Sequence, residues 1–240
     1  MLSFASRNAK EILRDPLNLA FGLGFPVVLL LLLTAIQANI PVSLFEIQHL
    51  TPGISVFGLA FMTLFSATLI AKDRQSTLLL RLYTTPLTPI GFILGYTLPV
   101  LPIALAQALI CYLVAFFLGL EITVGILYAL IGVIPVSLLF ISLGLLCGSL
   151  LTDKQVGGIC GALLTNLTAW FSGVWFDLDL VGGVFRKIAN LLPFVHAVEL
   201  ERALLLGSQI DPQDFVWVIA YVLVFLVLAV FAFLRQMQNQ

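Results

Sequence analysis

The residues best suited to chemistry lie in the last third of the chain. His196, Glu199 and Arg202 fall at i, i+3 and i+6 of an apolar helical pattern, and Asp177 and Asp179 flank a single leucine. Side chains of these types can hold a cation or transfer a proton. The simpler interpretation is a solvated polar stripe in which Glu199 and Arg202 pair along one helix. We favour this second interpretation, so no catalytic residue and no metal site are predicted.

The residues required for other chemistries are missing. Cys111, Cys147 and Cys160 all lie in apolar runs, without a CxxC pair or a Cys/His cluster. The sequence has no HExxH helix, no GxSxG turn and no GxxxxGK[ST] phosphate loop. The basic residues are scattered and the net charge is −1, which gives no reason to expect a nucleic-acid partner. The chain is therefore not predicted to be an enzyme or to hold a cofactor.

The composition indicates an integral membrane protein. Of 240 residues, 61% are apolar and 10% are charged, whereas a soluble domain carries about 25% charged residues. A charge at the centre of a membrane helix costs about 2.5 to 3.5 kcal/mol, and about 20 apolar residues cross the hydrocarbon core. Long charge-free runs therefore mark candidate spans. Six runs have 20 or more residues, namely 16–45, 47–71, 82–120, 122–152, 155–176 and 215–234.

These runs predict an all-α integral membrane fold, with six transmembrane helices in one domain over residues 1–240. The aromatic residues Trp170, Phe171, Trp175 and Phe176 cluster near the end of one span, as in an interfacial aromatic belt. The spans are placed at about 17–39, 52–71, 90–118, 123–151, 156–175 and 213–234.

The distribution of charge predicts the orientation. If the N-terminus is cytoplasmic, eight basic residues lie inside and three, Arg186, Lys187 and Arg202, lie outside. This obeys the positive-inside rule, so both termini are predicted to be cytoplasmic. The eight inside residues are Arg7, Lys10, Arg14, Lys72, Arg74, Arg81, Lys154 and Arg235. The acidic residues expected outside are Glu46, Glu121, Asp177, Asp179, Glu199, Glu201, Asp211 and Asp214.

Three segments between or before the spans have helical patterns of their own. Residues 2–15 form an amphipathic helix, which either anchors the chain on anionic lipid or touches a cytoplasmic partner. Residues 73–85 form a short helix with an apolar face, which packs against helix ends of this chain or docks against a partner. Residues 181–207 form two helices, each too short to span, that meet at Pro193; such a pair could enter the outer leaflet and return.

The charge-free runs leave the chain without a means of ion coupling. Ion-driven carriers usually keep ionisable groups within the membrane, although backbone carbonyls can also bind sodium. Uphill transport would then require nucleotide hydrolysis. Because this sequence has no phosphate loop, ATP and Mg²⁺ would be held by a separate ATPase chain.

Two stretches carry a family resemblance. DRQSTLLLRLYTTPLTPIGFILG, from Asp73 to Gly95, has a charged start, a leucine-rich helix and a proline turn that enters the third span. LLPFVHAVELERALLLG, from Leu191 to Gly207, precedes the last span. With these stretches the chain resembles the permease subunits of type-2 ATP-binding-cassette (ABC-2) exporters. One departure is Tyr96, where the family often has Lys, and another is Ser76-Thr77, where it often has Gly.

The resemblance implies a connecting helix, a coupling helix at 73–85 and a re-entrant hairpin at 181–207 that gates the outer side. It also implies two permease copies, as a homodimer or a heterodimer, with two ATPase subunits. The hairpin residues expected at the gate are Pro193, His196, Glu199 and Arg202. The residues expected to face the ATPase are Arg7, Lys10, Glu11, Arg14, Asp73, Arg74, Thr77, Leu80 and Arg81.

The expected function is that of a permease in the bacterial cytoplasmic membrane, with lipid around it. The uncharged spans favour an apolar or amphipathic cargo, such as a drug, an antimicrobial peptide or a lipid-like molecule. Two alternatives are a non-transporting assembly or sensor subunit and a passive channel. The polar residues expected to contact cargo are Gln107, Thr165, Asn166 and Thr168, although each could instead bond to a neighbouring helix.

Overall fold

The computed structural model describes residues 2–40, 45–76 and 88–238, and the regular elements within these ranges are helices. The first five are α1 (Leu2–Leu13), α2 (Pro16–Gln37), α3 (Ile47–Gln75), α4 (Pro89–Phe117) and α5 (Val124–Leu150). Helix α6 is a continuous run in three parts, Asp153–Val156, Gly157–Leu164 and Thr165–Phe171. The last four are α7 (Leu178–Val181), α8 (Gly183–Leu191), α9 (Pro193–Leu206) and α10 (Pro212–Gln238).

Five helices in the described ranges are long and apolar enough to cross a membrane, namely α2, α3, α4, α5 and α10. They coincide with five of the predicted spans. The remaining predicted span, 156–175, corresponds to α6, which ends at Phe171 and begins with Asp153 and Lys154. Helix α6 is not among the five because its charged and polar residues make it less apolar than they are. The count of six spans therefore stays a prediction.

The predicted coupling helix at 73–85 is only partly described. Residues 73–76 belong to the end of α3 and the residue that follows it. Thr77, Leu80 and Arg81 lie outside the described residues, so their predicted contact with an ATPase stays a prediction.

Helix α3 forms the centre of the bundle. It contacts α5, α4, α9, α2 and α6. Small residues allow the closest of these approaches, since a Cβ on Gly144 would lie 2.5 Å from the Thr63 carbonyl oxygen and one on Gly148 would lie 2.7 Å from that of Ala67. The Thr63 hydroxyl also donates to the Phe140 carbonyl at 2.9 Å. Close backbone packing of this kind is a main source of helix association in lipid.

The contacts define two ends of the bundle, and both α1 and the C-terminal part of α10 lie at one of them. At the α1 end, Asn8 donates to the Gly95 carbonyl at 3.1 Å, which joins α1 to the start of α4. Phe92, also near the start of α4, stacks on Phe233 of α10 with ring centroids 4.0 Å apart. At the opposite, α9 end, Arg202 reaches the His49 carbonyl at the start of α3.

Helix α6 runs antiparallel to α3, from one end of the bundle towards the other. At the α1 end, Val156 and Cys160 pack with Ala67 and Ala71. Beyond the C-terminus of α6, Val174 lies beside Gly53, where a Cβ would be 3.2 Å away. The stretch of α3 from Gly53 to Ala71 is about 27 Å long at 1.5 Å per residue, close to the thickness of the hydrocarbon core.

Helices α8 and α9 occupy the segment of the predicted hairpin, here called the hairpin, and α9 packs against the bundle. Leu192 joins them in an extended conformation (φ −93°, ψ 151°), which the following Pro193 favours. Helix α9 contacts α5, α3 and α10, and it ends at Gly207 with a left-handed φ of +63°. Entry of this hairpin into the outer leaflet stays a prediction.

Candidate functional site

The first candidate site is a groove between α2, α3 and α6, here called the aromatic groove. It has a volume of about 390 Å³. Its walls share aromatic character, and the ring of Phe57 lies 5.6 Å from that of Trp175 and 6.3 Å from that of Phe61. The lining residues are Phe21, Phe25, Leu29, Phe57, Phe61, Gly161, Thr165, Asn166, Ala169, Trp170 and Trp175.

Both π-helical segments of the described chain border the aromatic groove. One, Ala20–Gly24 in α2, contributes Phe21, and the other, Gly157–Leu164 in α6, contributes Gly161. The wider π turn shifts the helical register, and such segments recur at functional sites. In α6 the shift appears in the hydrogen bond from the Thr165 hydroxyl to the Cys160 carbonyl, five residues back, at 3.1 Å.

The structure brings two of the four predicted cargo residues to the aromatic groove. Thr165 and Asn166 line it, although the Asn166 amide also donates to the Ala162 carbonyl at 2.8 Å. Thr168 is buried and donates to the Leu164 carbonyl. Gln107 is fully buried against Gly58, where a Cβ would lie 2.3 Å from the Gln107 amide nitrogen. Thr168 and Gln107 do not line the groove, and the hydrogen bonds that they make lie within their own helices rather than with a neighbouring one.

The second region is a polar cluster at the α1 end, where α1 meets α3 and α4. The Arg7 guanidinium bonds both carboxylate oxygens of Asp73, at 2.7 and 2.8 Å. It also pairs with Glu11 at 2.7 Å. The Tyr96 hydroxyl donates to Asp73 at 2.8 Å. The Tyr96 hydroxyl is thus a second donor to the buried carboxylate, beside Arg7.

The polar cluster corrects one expectation about the ATPase-facing residues. The Asp73 side chain is only 1% exposed, so its carboxylate is directed into the protein and not towards a cytoplasmic partner. Arg74, also expected there, donates to the carbonyls of Gly148 and Leu151 at 3.0 and 3.1 Å, which caps the end of α5.

The remaining described members of that predicted set lie at the surface of α1. Lys10 and Arg14 are exposed, and Arg7 and Glu11 are partly exposed. With Ser3 and Ser6 these four residues line a shallow surface depression of about 720 Å³.

The third region is a polar basin of about 850 Å³ at the α9 end. His196 lies on its wall, with Nδ1 2.7 Å from an Asp214 carboxylate oxygen and Nε2 2.9 Å from the Asn190 carbonyl. Its ring stacks on Trp217 at 5.2 Å. Both ring nitrogens therefore face acceptors, an arrangement that favours the doubly protonated imidazolium.

The charge state of His196 reflects two opposing effects. Burial lowers the pKa of His196, but the hydrogen bonds to Asp214 and Asn190 and the nearby negative charge raise it by more, so its pKa lies above the ordinary value. The hairpin is thus joined to the first turn of α10 by a charge-assisted hydrogen bond.

Arg202 joins the hairpin to the rest of the basin. It pairs with Glu199 at 2.9 Å, so the predicted i,i+3 pair is confirmed. It also donates to the carbonyls of Gly173, at 2.9 Å, and His49, at 3.3 Å. Pro193, the fourth predicted gate residue, is buried at the start of α9.

Sequence reasoning missed two features of how the hairpin packs on the rest of the protein. Asp214 was assigned only to the outer acidic residues, because nothing local links it to His196, 18 positions earlier. Glu201 belongs to the same set of expected outer acidic residues, and its side chain is fully buried, which the sequence does not indicate. Only the packing of α9 on α5 reveals that position.

The fold and these three regions define a multi-pass helical membrane protein with an uncharged groove between its helices. The chain belongs to the ABC-2 type transporter family, whose model matches residues 1–206. The resemblance seen in the sequence is therefore confirmed, and the protein is a membrane component of a transporter family.

Two curated relatives share part of the sequence. Nodulation protein J of Rhizobium leguminosarum bv. viciae is 31% identical over 98 residues, which are 41% of this chain and 38% of the relative. Nodulation protein J of Rhizobium meliloti (strain 1021) is 28% identical over 95 residues, which are 40% of this chain and 36% of the relative. The matched region thus spans less than two fifths of the length of these relatives.

Proposed function

We propose that this chain is the membrane-spanning permease subunit of an ATP-driven exporter for apolar or amphipathic molecules, such as drugs, antimicrobial peptides or lipid-like compounds. The observation that carries this proposal is the aromatic groove. It is lined by six aromatic rings and by no ionisable acid or base. Aromatic walls offer large apolar contact area, and Thr165 and Asn166 supply the few polar groups that orient an amphipathic ligand.

The energy source is a separate ABC ATPase chain, which holds ATP and Mg²⁺. Membership of the ABC-2 family supports such a partner. The exposed Lys10 and Arg14, with the partly exposed Arg7 and Glu11, give α1 a charged surface for docking. Because Arg7 is bound to Asp73, force applied to α1 would pass directly to α3, which forms one wall of the aromatic groove.

The proposed topology has six spans in the bacterial cytoplasmic membrane and both termini in the cytoplasm. It is supported by the course of α6 along α3 and by the position of α1 and the C-terminal part of α10 at the same end of the bundle. A second permease copy, identical or homologous, completes the transporter. The hairpin of α8 and α9 then acts as the outer gate.

The test compares groove variants in a reconstituted transporter. The permease is purified from its native membrane together with any ATPase that it binds, placed in liposomes and assayed for ATP-dependent movement of a fluorescent amphipathic dye. We expect Phe57→Ala and Phe61→Ala each to reduce transport about tenfold, since a truncated aromatic contact is worth about 1 to 2 kcal/mol. The matched control is Phe231→Ala, because Phe231 lies on α10 with 63% of its surface exposed.

The outcomes separate the proposed function from its alternatives. Equal transport by the two groove variants and the Phe231→Ala control would remove the aromatic groove from the pathway. Dye movement without ATP would identify a passive channel. An absence of any ATPase in the purified complex would favour an assembly or sensor subunit.

A further inference from the structure

Glu201 is a buried carboxyl group without a partner. It lies in α9, its side chain is 0% exposed, and neither of its carboxyl oxygens has a hydrogen-bond partner in the described part of the chain. Its Oε1 lies 2.8 Å from the point where a Cβ on Gly132 would stand. Gly132 is eight residues into α5, which is about 12 Å from the start of that helix. The carboxyl group is therefore well inside the bundle.

Among the described residues that pack around α9, none offers this group a positive charge. On α5 the facing residue is Gly132. On α4 the residue close enough to interact electrostatically with Glu201 is Tyr112. The buried Tyr112 hydroxyl also lacks a hydrogen-bond partner among the described residues. Arg202, the neighbouring cation on α9, is directed to Glu199 and to the carbonyls of Gly173 and His49. The remaining titratable groups nearby are paired with each other, namely His196 on α9 and Asp214 on α10.

A carboxylate in such surroundings is far less stable than a carboxylic acid. Burial raises the pKa of Glu201 well above its ordinary value, because the ionised form loses its hydration and gains no counter-charge. The protonated form is neutral, so it avoids most of this cost. In water the same side chain has a pKa of about 4.3 and is ionised at neutral pH.

We propose that Glu201 is a proton-binding switch that links the protonation of this chain to the position of α9. With α9 seated on α5, Glu201 holds a proton. When α9 leaves α5 and Glu201 reaches water, the O–H bond breaks and the proton passes to solvent. The seated state therefore binds one more proton than the released state, so low pH favours a closed hairpin.

The direction and size of the effect follow from this linkage. Below about pH 4.3 both states are protonated and pH has no effect on the equilibrium between them. Between that value and the pKa of the seated state, each unit of pH shifts the equilibrium up to tenfold towards release. The wild-type hairpin should thus open more readily as pH rises.

Hydrogen exchange of α9 in lipid nanodiscs tests the proposal. Wild type, Glu201→Gln and Glu199→Gln are compared at the same pH, so the intrinsic pH dependence of exchange cancels. Glu201→Gln keeps the size and neutrality of the protonated acid. From about pH 6 to pH 8 the ratio of opening in wild type to opening in Glu201→Gln should rise by up to 100-fold. Glu199→Gln should follow wild type, because the Glu199 side chain is 50% exposed. A constant ratio would overturn the proposal.

Infrared spectroscopy gives a second readout that does not depend on opening. At neutral pH the wild-type spectrum should contain the carbonyl stretch of a protonated carboxylic acid, and Glu201→Gln should lose that band. Absence of the band in wild type, or its persistence in the variant, would refute a protonated Glu201. If the variant does not fold, the wild-type band must persist over the pH range in which α9 exchange rises and disappear where that rise levels off; a mismatch would refute the switch. Neither measurement uses an ATPase or a cargo, so failure here would leave the proposed function untouched.

Discussion

The ion pair between Arg7 and Asp73 should hold α1 against the bundle, and its removal gives a measurable loss of stability. Asp73 is 1% exposed and receives two bonds from Arg7 and one from Tyr96. Arg7→Ala leaves the carboxylate with the Tyr96 hydroxyl alone. Breaking a fully buried ion pair costs about 3 to 5 kcal/mol. Because Arg7 is 40% exposed, water can reach part of the site, and we expect a smaller loss of about 2 to 3 kcal/mol.

A double-mutant cycle isolates the pair from the loss of each side chain. Unfolding of the solubilised chain by sodium dodecyl sulfate is measured for Arg7→Ala, Asp73→Asn and the double variant. Asp73→Asn should cost about 1 kcal/mol, since Arg7 is exposed enough to be hydrated once its partner is neutral. The double variant should be little less stable than Arg7→Ala alone, with a coupling free energy of about 1 kcal/mol.

Lys10→Ala is the matched control, because Lys10 is an exposed cation on the same helix. It should change the free energy of unfolding by no more than about 0.5 kcal/mol. If Arg7→Ala is no more harmful than Lys10→Ala, or if the two variants of the pair add without coupling, the assignment of Arg7 as the anchor of α1 is wrong.

Two further predictions concern helix packing and pH. Gly144→Ala should destabilise the chain by about 1 to 3 kcal/mol, because the new Cβ would stand 2.5 Å from the Thr63 carbonyl oxygen. Gly157→Ala is the control and should be nearly neutral in the same unfolding assay, because no atom lies within 4 Å of its new Cβ. Equal effects would contradict the close approach of α3 and α5. The raised pKa of His196 means that its pair with Asp214 stabilises the fold fully below about pH 6.5 and loses this effect as pH rises through the raised value. The difference in melting temperature between wild type and Asp214→Asn should therefore shrink with increasing pH, and a difference that grows would refute a protonated His196.

The sequence alone determined the class of the protein and the positions of most of its membrane helices. A charge inside a bilayer is costly wherever it lies, so charge-free runs mark spans without any knowledge of which helices touch. A second local rule predicts helix breaks near Pro16 and Pro193, since proline restricts the conformation of the residue before it. The pair of Glu199 and Arg202 could be predicted because it depends only on helical spacing within one element.

Only the tertiary structure decided which polar residues are buried together and where a cargo could bind. The long apolar helices have hydrophobic residues on nearly all sides, so their sequences do not show which face meets which neighbour. Asp73 and Glu201 illustrate the consequence. Both are acidic residues in predicted surface segments, yet packing gives Asp73 an arginine and a tyrosine and leaves Glu201 against a glycine. The aromatic groove has the same origin. Five of its rings come from α2, α3 and α6, the sixth belongs to Trp175 after α6, and they become neighbours only when the bundle forms.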